Sequence, residues 1–306
     1  MFDAILNMLV SGWLLNAQAS QTPMPLVESV QAYPQWPTVT PVWAPQTVDI
    51  EPIISAESAV VVDQGSRTML YQQDIDTVRS IASITKLMTA LIFVEQGIDW
   101  EQQVTLVGSD MRPGASSEIG IGESTTARNL FAAMLIASSN ESAVALARIT
   151  GLSEADFITK MNDKAKTLGM NNTTFADMTG LNVGNLSTAR DLAVLGQAVF
   201  AQPDIARVAN KSEQVISVVS LGKTVDRKLK STNLIIGDSF GDERAEAIVE
   251  AGKTGFIESA GYCMLSQIKG ANDQRLTVVV LGSDTLTGRF VDTKNLAAWT
   301  LSTYQW

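Results

Sequence analysis

Ser80-Ile81-Ala82-Ser83-Ile84-Thr85-Lys86-Leu87-Met88-Thr89-Ala90 is the pivot of this 306-residue chain. Strand-like sequence precedes it. Ser58 to Asp63 is a β-branched run, Asp63-Gln64-Gly65-Ser66 is a turn, and Thr68 to Gln72 is a second short run, so a hairpin is expected. Helical sequence follows, from Ile84 to Gln96, closed by Gly97. Ser83 therefore stands at or just before a helix start, with Lys86 three residues on and on the same helix face.

Working outward, residues 104 to about 200 read as mainly helical: Ala127 to Ala137, Glu141 to Thr150, Glu154 to Leu168 and Ala189 to Phe200. Thr188 and Asp191 have the spacing of a capping box at the start of the last of these. Strand signals return at Gln214 to Ser220, Ala247 to Lys253, Tyr262 to Ile268 and Leu276 to Gly282. An amphipathic helix is expected from Arg289 to Thr303. Strands at both ends of the chain, with helices between, predict an α+β fold. One antiparallel sheet joins the two ends, and the helical block is inserted as a subdomain. The cleft between sheet and block is the expected site.

Composition narrows the chemistry. There is no histidine, which excludes a Ser-His-Asp triad, a Cys-His pair and any His-ligated zinc centre. A hydrolase built from this chain needs lysine, a carboxylate or metal-bound water as its base. Cys263 is the sole cysteine, so no intrachain disulfide and no thiolate metal site is available; it reads as a small buried apolar residue. The net charge is −10 and the only basic cluster is Arg227-Lys228-Leu229-Lys230, read as a solvated face. A nucleic-acid partner is not expected.

Ser83 and Lys86 then acquire a chemical meaning. A hydroxyl is a poor nucleophile until a base takes its proton. A lysine one turn away can serve if burial or a neighbouring cation lowers its pKa. Ser-x-x-Lys alone is weak evidence, since average composition supplies about one per 300 residues. Ser220-Leu221-Gly222-Lys223 matches it too, but enters a glycine turn rather than a helix. A second element, Ser138-Ser139-Asn140, falls in a turn between two helices, where Ser138 and Asn140 can both face a cleft. Alone, Ser138 reads as the N-cap of the following helix. Ser231-Thr232-Asn233 repeats the pattern. The third element is Gly252-Lys253-Thr254-Gly255-Phe256 at a strand end. There Lys253 supplies a second cation, Gly255 lets a substrate backbone lie along the strand edge, and a following N–H can complete an oxyanion hole with that of Ser83.

The three elements, in this order, resemble the active-site signature of penicillin-binding proteins and serine β-lactamases, with the middle element here reading Ser-Ser-Asn. The text around them resembles the serine D-alanyl-D-alanine carboxypeptidase family: Ile81 to Ala90, Leu168-Gly-Met-Asn-Asn-Thr-Thr-Phe175, Thr179-Gly180-Leu181, Ser187-Thr-Ala-Arg-Asp-Leu-Ala193 and Ala260-Gly-Tyr-Cys263. It runs from about Ile54 to the C-terminus. The resemblance implies a β-lactamase/transpeptidase-like fold and an acyl-enzyme peptidase that removes the terminal D-alanine from peptidoglycan stem peptides. It implies Ser83 as nucleophile, Lys86 as base, and Ser138 with Lys253 passing a proton to the leaving group. Asn140 and Thr254 hold the substrate, and the N–H groups of Ser83 and Phe256 form the oxyanion hole. β-Lactams are implied inhibitors; no cofactor or metal is implied. Met178 stands where the family often has proline before Thr-Gly-Leu, which affects local loop geometry.

Three rivals follow. A D-alanyl-D-alanine endopeptidase cutting crosslinks is of the same class. The chain stops soon after the last expected helix, and that layout resembles the endopeptidase branch, as does the sequence from Lys164 to Asn172. A β-lactamase is disfavoured because no Glu-x-x-Leu-Asn lies between Asn140 and Lys253. A non-catalytic penicillin-binding sensor is disfavoured because every proposed catalytic side chain is present.

The N-terminus bears on location. Residues 1–19 are apolar, too short for a comfortable transmembrane span, and end in Ala17-Gln18-Ala19, a small-x-small cleavage pattern. They read as a signal peptide or weak membrane anchor, although no Lys or Arg precedes Arg67. Residues 20–53 are proline-rich and read as an extended linker. Residues 54–306 read as the peptidase domain, with its helical subdomain at about 104–200, exported to the periplasm or cell envelope.

Overall fold

The computed structural model describes residues 39–44, 51–114, 118–241 and 246–306. The expected signal peptide or anchor at 1–19, and most of the 20–53 linker, lie outside the described residues. Within that linker Val42–Trp43 (β1) is docked on the domain. It pairs antiparallel with Tyr304–Gln305, and the Trp43 ring meets Trp299 and Tyr304 edge-on at centroid distances of 6.2 and 5.5 Å.

The predicted hairpin forms, as Ser58–Asp63 (β2) and Met69–Gln73 (β3). Arg79–Ser80 (β4) leads into a single 3-10 turn, Ala82–Ile84, and then helix α1, Thr85–Glu95. Gln103–Thr105 (β5) and Ser124–Thr126 (β6) precede α2 (Ala127–Ile136), α3 (Asn140–Ile149) and α4 (Glu154–Thr167). Leu186–Ser187 (β7) leads to α5 (Ala189–Phe200) and α6 (Pro203–Ala209). Strands β8 (Glu213–Ser220) and β9 (Lys223–Lys230) form a hairpin. Then come β10 (Ser239–Phe240), β11 (Ala247–Ile257), β12 (Gly261–Gly270), β13 (Arg275–Ser283), α7 (Gly288–Thr303) and β14 (Tyr304–Gln305).

Both chain ends build one six-stranded antiparallel sheet in the order β10-β11-β12-β13-β2-β3. Side chains alternate across it, and both faces are covered. Val60, Val62, Leu265, Val279 and Leu281 enter the core shared with the helical block; Ala59, Val61, Met264, Val278 and Val280 enter a second core under α7. That double burial explains why Ser58–Asp63 reads as a continuous apolar run rather than an alternating one. Each fully buried Val or Leu contributes about 1.5–3 kcal/mol.

The helical block is organised by α1, which is buried from Thr85 to Phe93. A helix buried on all sides belongs to the middle of a core. Helices α2 to α5 each start on a hydroxyl that accepts an N–H three residues on: Thr126, Ser139, Ser153 and Thr188. The Thr188 cap forms, but Asp191 does not close a capping box. Its carboxylate accepts from Asn172 N and Thr173 Oγ1, tying the preceding loop to α5.

One feature differs from expectation. The helical block carries a small sheet in the order β5-β6-β8-β9, so its hairpin extends well past residue 200. The basic cluster lies on β9 as a solvated face, with Lys228 and Lys230 exposed; Arg227 pairs with Glu123, which is held near pKa 2 chiefly by that contact, and Lys228 pairs with Glu213.

Candidate active site

The Ser83 turn is wedged between two close backbones. A Cβ on Gly255 of β11 would stand 2.9 Å from Ile81 O and 3.2 Å from Ser83 N, so this strand needs glycine to pass the Ser83 turn. On the other side is Gly180, at φ +88, where a Cβ would fall 2.0 Å from Ala82 O. Ala82 itself is left-handed, at φ +47, a strained shape that surrounding structure must enforce. Gly180→Ala should therefore lower stability by at least about 1–2 kcal/mol and, by displacing the Ser83 turn, slow penicillin acylation about 10- to 100-fold. A thermal melt and a labelling time course check both effects.

Lys86 is fully buried, and its Nζ has three oxygen neighbours: Ser83 Oγ at 2.8 Å, Asn140 Oδ1 at 2.7 Å and Thr179 O at 2.6 Å. Burial lowers its pKa from 10.5 to about 7, opposed by the negative charges of Asp177 and Glu141. Near neutrality the amine is thus partly free base. A neutral amine has two N–H groups and one lone pair. Asn140 Oδ1 and Thr179 O are acceptors, so they take the two N–H groups. The lone pair is left for the Ser83 hydroxyl.

The amide of Asn140 is held in that orientation because its Nδ2 donates to Pro113 O at 3.1 Å. Two residues earlier, Ser138 has a left-handed backbone, φ +62, and is nine-tenths buried. Its Oγ accepts from Lys253 Nζ at 2.8 Å. The N-cap reading of Ser138 is not what forms. Ser139 caps α3, accepting from Ser142 N at 3.1 Å, which leaves the Ser138 hydroxyl for the cleft. Lys253 also donates to Thr254 O, and Thr254 Oγ1 meets Thr232 Oγ1 at 2.7 Å.

Lys253 is buried as deeply as Lys86. Its pKa is pushed well below the ordinary lysine value, first by burial and then by the charges of Lys86 and Arg289. Of the two causes expected to lower the Lys86 pKa, burial and a neighbouring cation, burial leads. Burial is the leading cause for both amines.

Eight residues were expected at the site: Ser83, Lys86, Ser138, Asn140, Lys253, Thr254, Gly255 and Phe256. The first seven meet as described. Phe256 follows Gly255 along the same strand. Its ring is half exposed and stacks on Tyr262, centroids 4.3 Å apart. Three features escaped the sequence reading. Arg289 of α7 is buried, donates from Nη1 to Gly255 O at 3.1 Å, and lies over the Tyr262 ring at 5.5 Å. Thr232 supplies the hydroxyl beside Thr254. The Asp177–Asn185 loop delivers Thr179 O to Lys86. A buried arginine near a strand end has no sequence period to announce it. The loop did leave a trace, because Asp177-x-Thr179-Gly180 is turn chemistry.

Residues 45–285 match the family model described as D-alanyl-D-alanine carboxypeptidase. The D-alanyl-D-alanine endopeptidase of Escherichia coli (strain K12) is 31% identical over 271 residues, 88% of this chain and 84% of that protein. A D-alanyl-D-alanine carboxypeptidase of Bacillus subtilis (strain 168) is 30% identical over 82% of this chain and 63% of its own length. Among solved structures, ampicillin-bound penicillin-binding protein D2 from Listeria monocytogenes superposes with a TM-score of 0.66 at 32% identity, covering 79% of this chain and 96% of that one. Sheet, helical block and three converging motifs agree with these likenesses, and the chain belongs to the D-alanyl-D-alanine carboxypeptidase family.

Proposed function

We propose that the protein hydrolyses the D-alanyl-D-alanine bond of peptidoglycan stem peptides through an acyl-enzyme on Ser83, releasing the terminal D-alanine. The observation that carries this reading is the Lys86 amine, buried, near-neutral and 2.8 Å from Ser83 Oγ. The Ser83 proton passes to Lys86 as Oγ bonds to the carbonyl carbon. Charge developing on the carbonyl oxygen falls between the strand edge at Gly255–Phe256 and the Ser83 N–H, where backbone donors stabilise it. The C–N bond then breaks. Ser138, whose Oγ accepts from Lys253, gives its hydroxyl proton to the leaving nitrogen, and the proton that Lys86 took from Ser83 replaces it, relayed within the pocket that Lys253 helps to form. Asn140 and Thr254 hold the peptide, with Thr254 on the side of the terminal carboxylate. Water attacks the ester, and its proton returns through the same groups. A β-lactam, carrying a strained amide in place of the peptide, acylates the same oxygen.

Sign and position of the pH dependence follow from Lys86. The acting form is the free amine, so acylation rises about tenfold per pH unit up to about pH 7 and levels above it. A stopped-flow series with a chromogenic penicillin from pH 5 to 9 measures it; a flat profile contradicts the lysine base.

A second reading is the endopeptidase, which cuts a D-alanyl crosslink with the same machinery. The observation favouring it is the endopeptidase name carried by the relative matched over 84% of its length. Mass spectrometry of muropeptide digests decides between them: loss of one alanine marks a carboxypeptidase, and monomers from dimers mark an endopeptidase. The substrate lies outside the cytoplasmic membrane, which fits export by residues 1–19, or tethering through them, and a domain that begins beyond the proline-rich segment. N-terminal sequencing of protein recovered from the cell envelope tests that part.

A further inference from the structure

Thr179 O is one of the two acceptors that fix the orientation of Lys86, yet it belongs to a loop rather than to a helix or strand. A carbonyl can aim an amine only if its own peptide is held. The holding group is the Asp177 carboxylate. Its Oδ1 accepts from Thr179 N at 2.7 Å, Gly180 N at 2.6 Å, Thr179 Oγ1 at 3.2 Å and Asn185 Nδ2 at 3.0 Å. Oδ2 accepts from Asn182 N at 2.8 Å. Asn185 closes the other end, its Oδ1 accepting from Ala176 N and Asp177 N. The loop so folded puts Gly180 against Ala82 O, leaving no space for a side chain. One carboxylate thus sets both the base and the turn that carries the nucleophile.

We propose that Asp177 is a positioning residue: by tying residues 177–182 into one shape it holds the Thr179 carbonyl on Lys86 Nζ and so aims the amine lone pair at Ser83. The assignment rests on the reading of Ser83 as nucleophile and Lys86 as base. Asp177 needs no contact with substrate for this. Its effect belongs to kcat, because the aim of the base changes the transition state and not the ground-state complex.

Charge gives a separate readout. The charged groups facing Lys86 are Asp177 from the loop and Glu141 from α3, with Lys253 of β11 across the site and Arg289 of α7 beyond it. Removing the Asp177 charge deletes one of the two influences that hold the Lys86 pKa up, so the acid limb of the rate profile moves to lower pH. Asparagine at 177 also presents an N–H₂ to at least one backbone N–H, which opens the loop.

The experiment compares wild type, Asp177→Asn, Asp177→Glu and Thr179→Val on a D-alanyl-D-alanine tripeptide, with kcat, KM and the pH profile measured and folding checked by thermal melt. Asp177→Asn is expected to lower kcat about 10- to 100-fold with KM nearly unchanged, and to shift the acid limb downward. Asp177→Glu restores the charge and returns the limb to the wild-type position, with kcat between the two. Thr179→Val keeps both the carbonyl and the charge. It removes only the hydroxyl that meets Asp177 and Leu181 N, so kcat falls by less and the limb stays in place. A folded Asp177→Asn protein with kcat within about twofold of wild type overturns the proposal, as does a loss confined to KM. Should Asp177→Asn fail to fold, an unchanged kcat in Thr179→Val overturns it. Ser83→Ala separates this from the underlying reading: hydrolysis that survives in Ser83→Ala removes the nucleophile itself, whereas full activity in Asp177→Asn beside an inert Ser83→Ala removes only the positioning role.

Discussion

Ser83→Ala is expected to abolish covalent penicillin labelling and to lower kcat/KM for D-alanine release by roughly 10⁴- to 10⁶-fold, the scale seen when a serine nucleophile is deleted. Among the described residues, the other cleft hydroxyls are already engaged. Ser138 is bound to Lys253, and Thr254 to Thr232. The variant should fold normally, because Ser83 is only partly buried and Lys86 keeps Asn140 and Thr179 as partners. Intact-protein mass spectrometry after incubation with penicillin reads the adduct directly. A stoichiometric adduct on the alanine variant would remove the proposed nucleophile.

Lys86→Met carries the second large effect, with two parts. Acylation loses its base and should fall about 10²- to 10⁴-fold, without the limb near pH 7. Stability changes in a pH-dependent way. In the folded protein Lys86 has a pKa of about 7 against 10.5 for a free lysine, so between these values the unfolded chain binds the extra proton. Wild-type stability therefore rises with pH across that window. Methionine has no such dependence. The stability difference between variant and wild type should move in favour of wild type from pH 7 to 10.5, by about 5 kcal/mol at 1.36 kcal/mol per pH unit. Methionine leaves Asn140 Oδ1 and Thr179 O without their donor, which costs about 1–3 kcal/mol each at every pH and does not alter the slope. Paired denaturant titrations at pH 7, 8.5 and 10 measure the difference. A constant gap contradicts the neutral buried amine.

Much of this architecture was legible because periodicity and burial coincide. The runs at Ser58–Asp63 and Arg275–Ser283 are buried on both faces, and helices α2 to α5 begin on capping hydroxyls. Strand β9 was not legible: among its eight residues, Lys223 to Lys230, only Leu229 is buried, so no alternation marks it. Helix α6 is seven residues long, too short to carry a helical period, although Pro203 opens it as a first-turn proline commonly does. At the site, motif residues were identifiable because each carries its own chemistry. Groups that act through backbone or packing were not, since Thr179 works by its carbonyl and Arg289 by its place on α7. The same limit explains Ser138 and Ser139. Either serine could cap α3 by composition, and only the left-handed backbone at Ser138 selects the second.

The central sheet pairs Val60 with Val279 and places β11 beside the Ser83 turn. Those partners are more than two thirds of the chain apart, so their union closes a very long loop and comes slowly. Lys253 and Gly255 reach Ser138 and the Ser83 turn only where β11 has docked beside them. The two buried lysines therefore share one site only through a long-range closure, and completing the sheet is what brings them together.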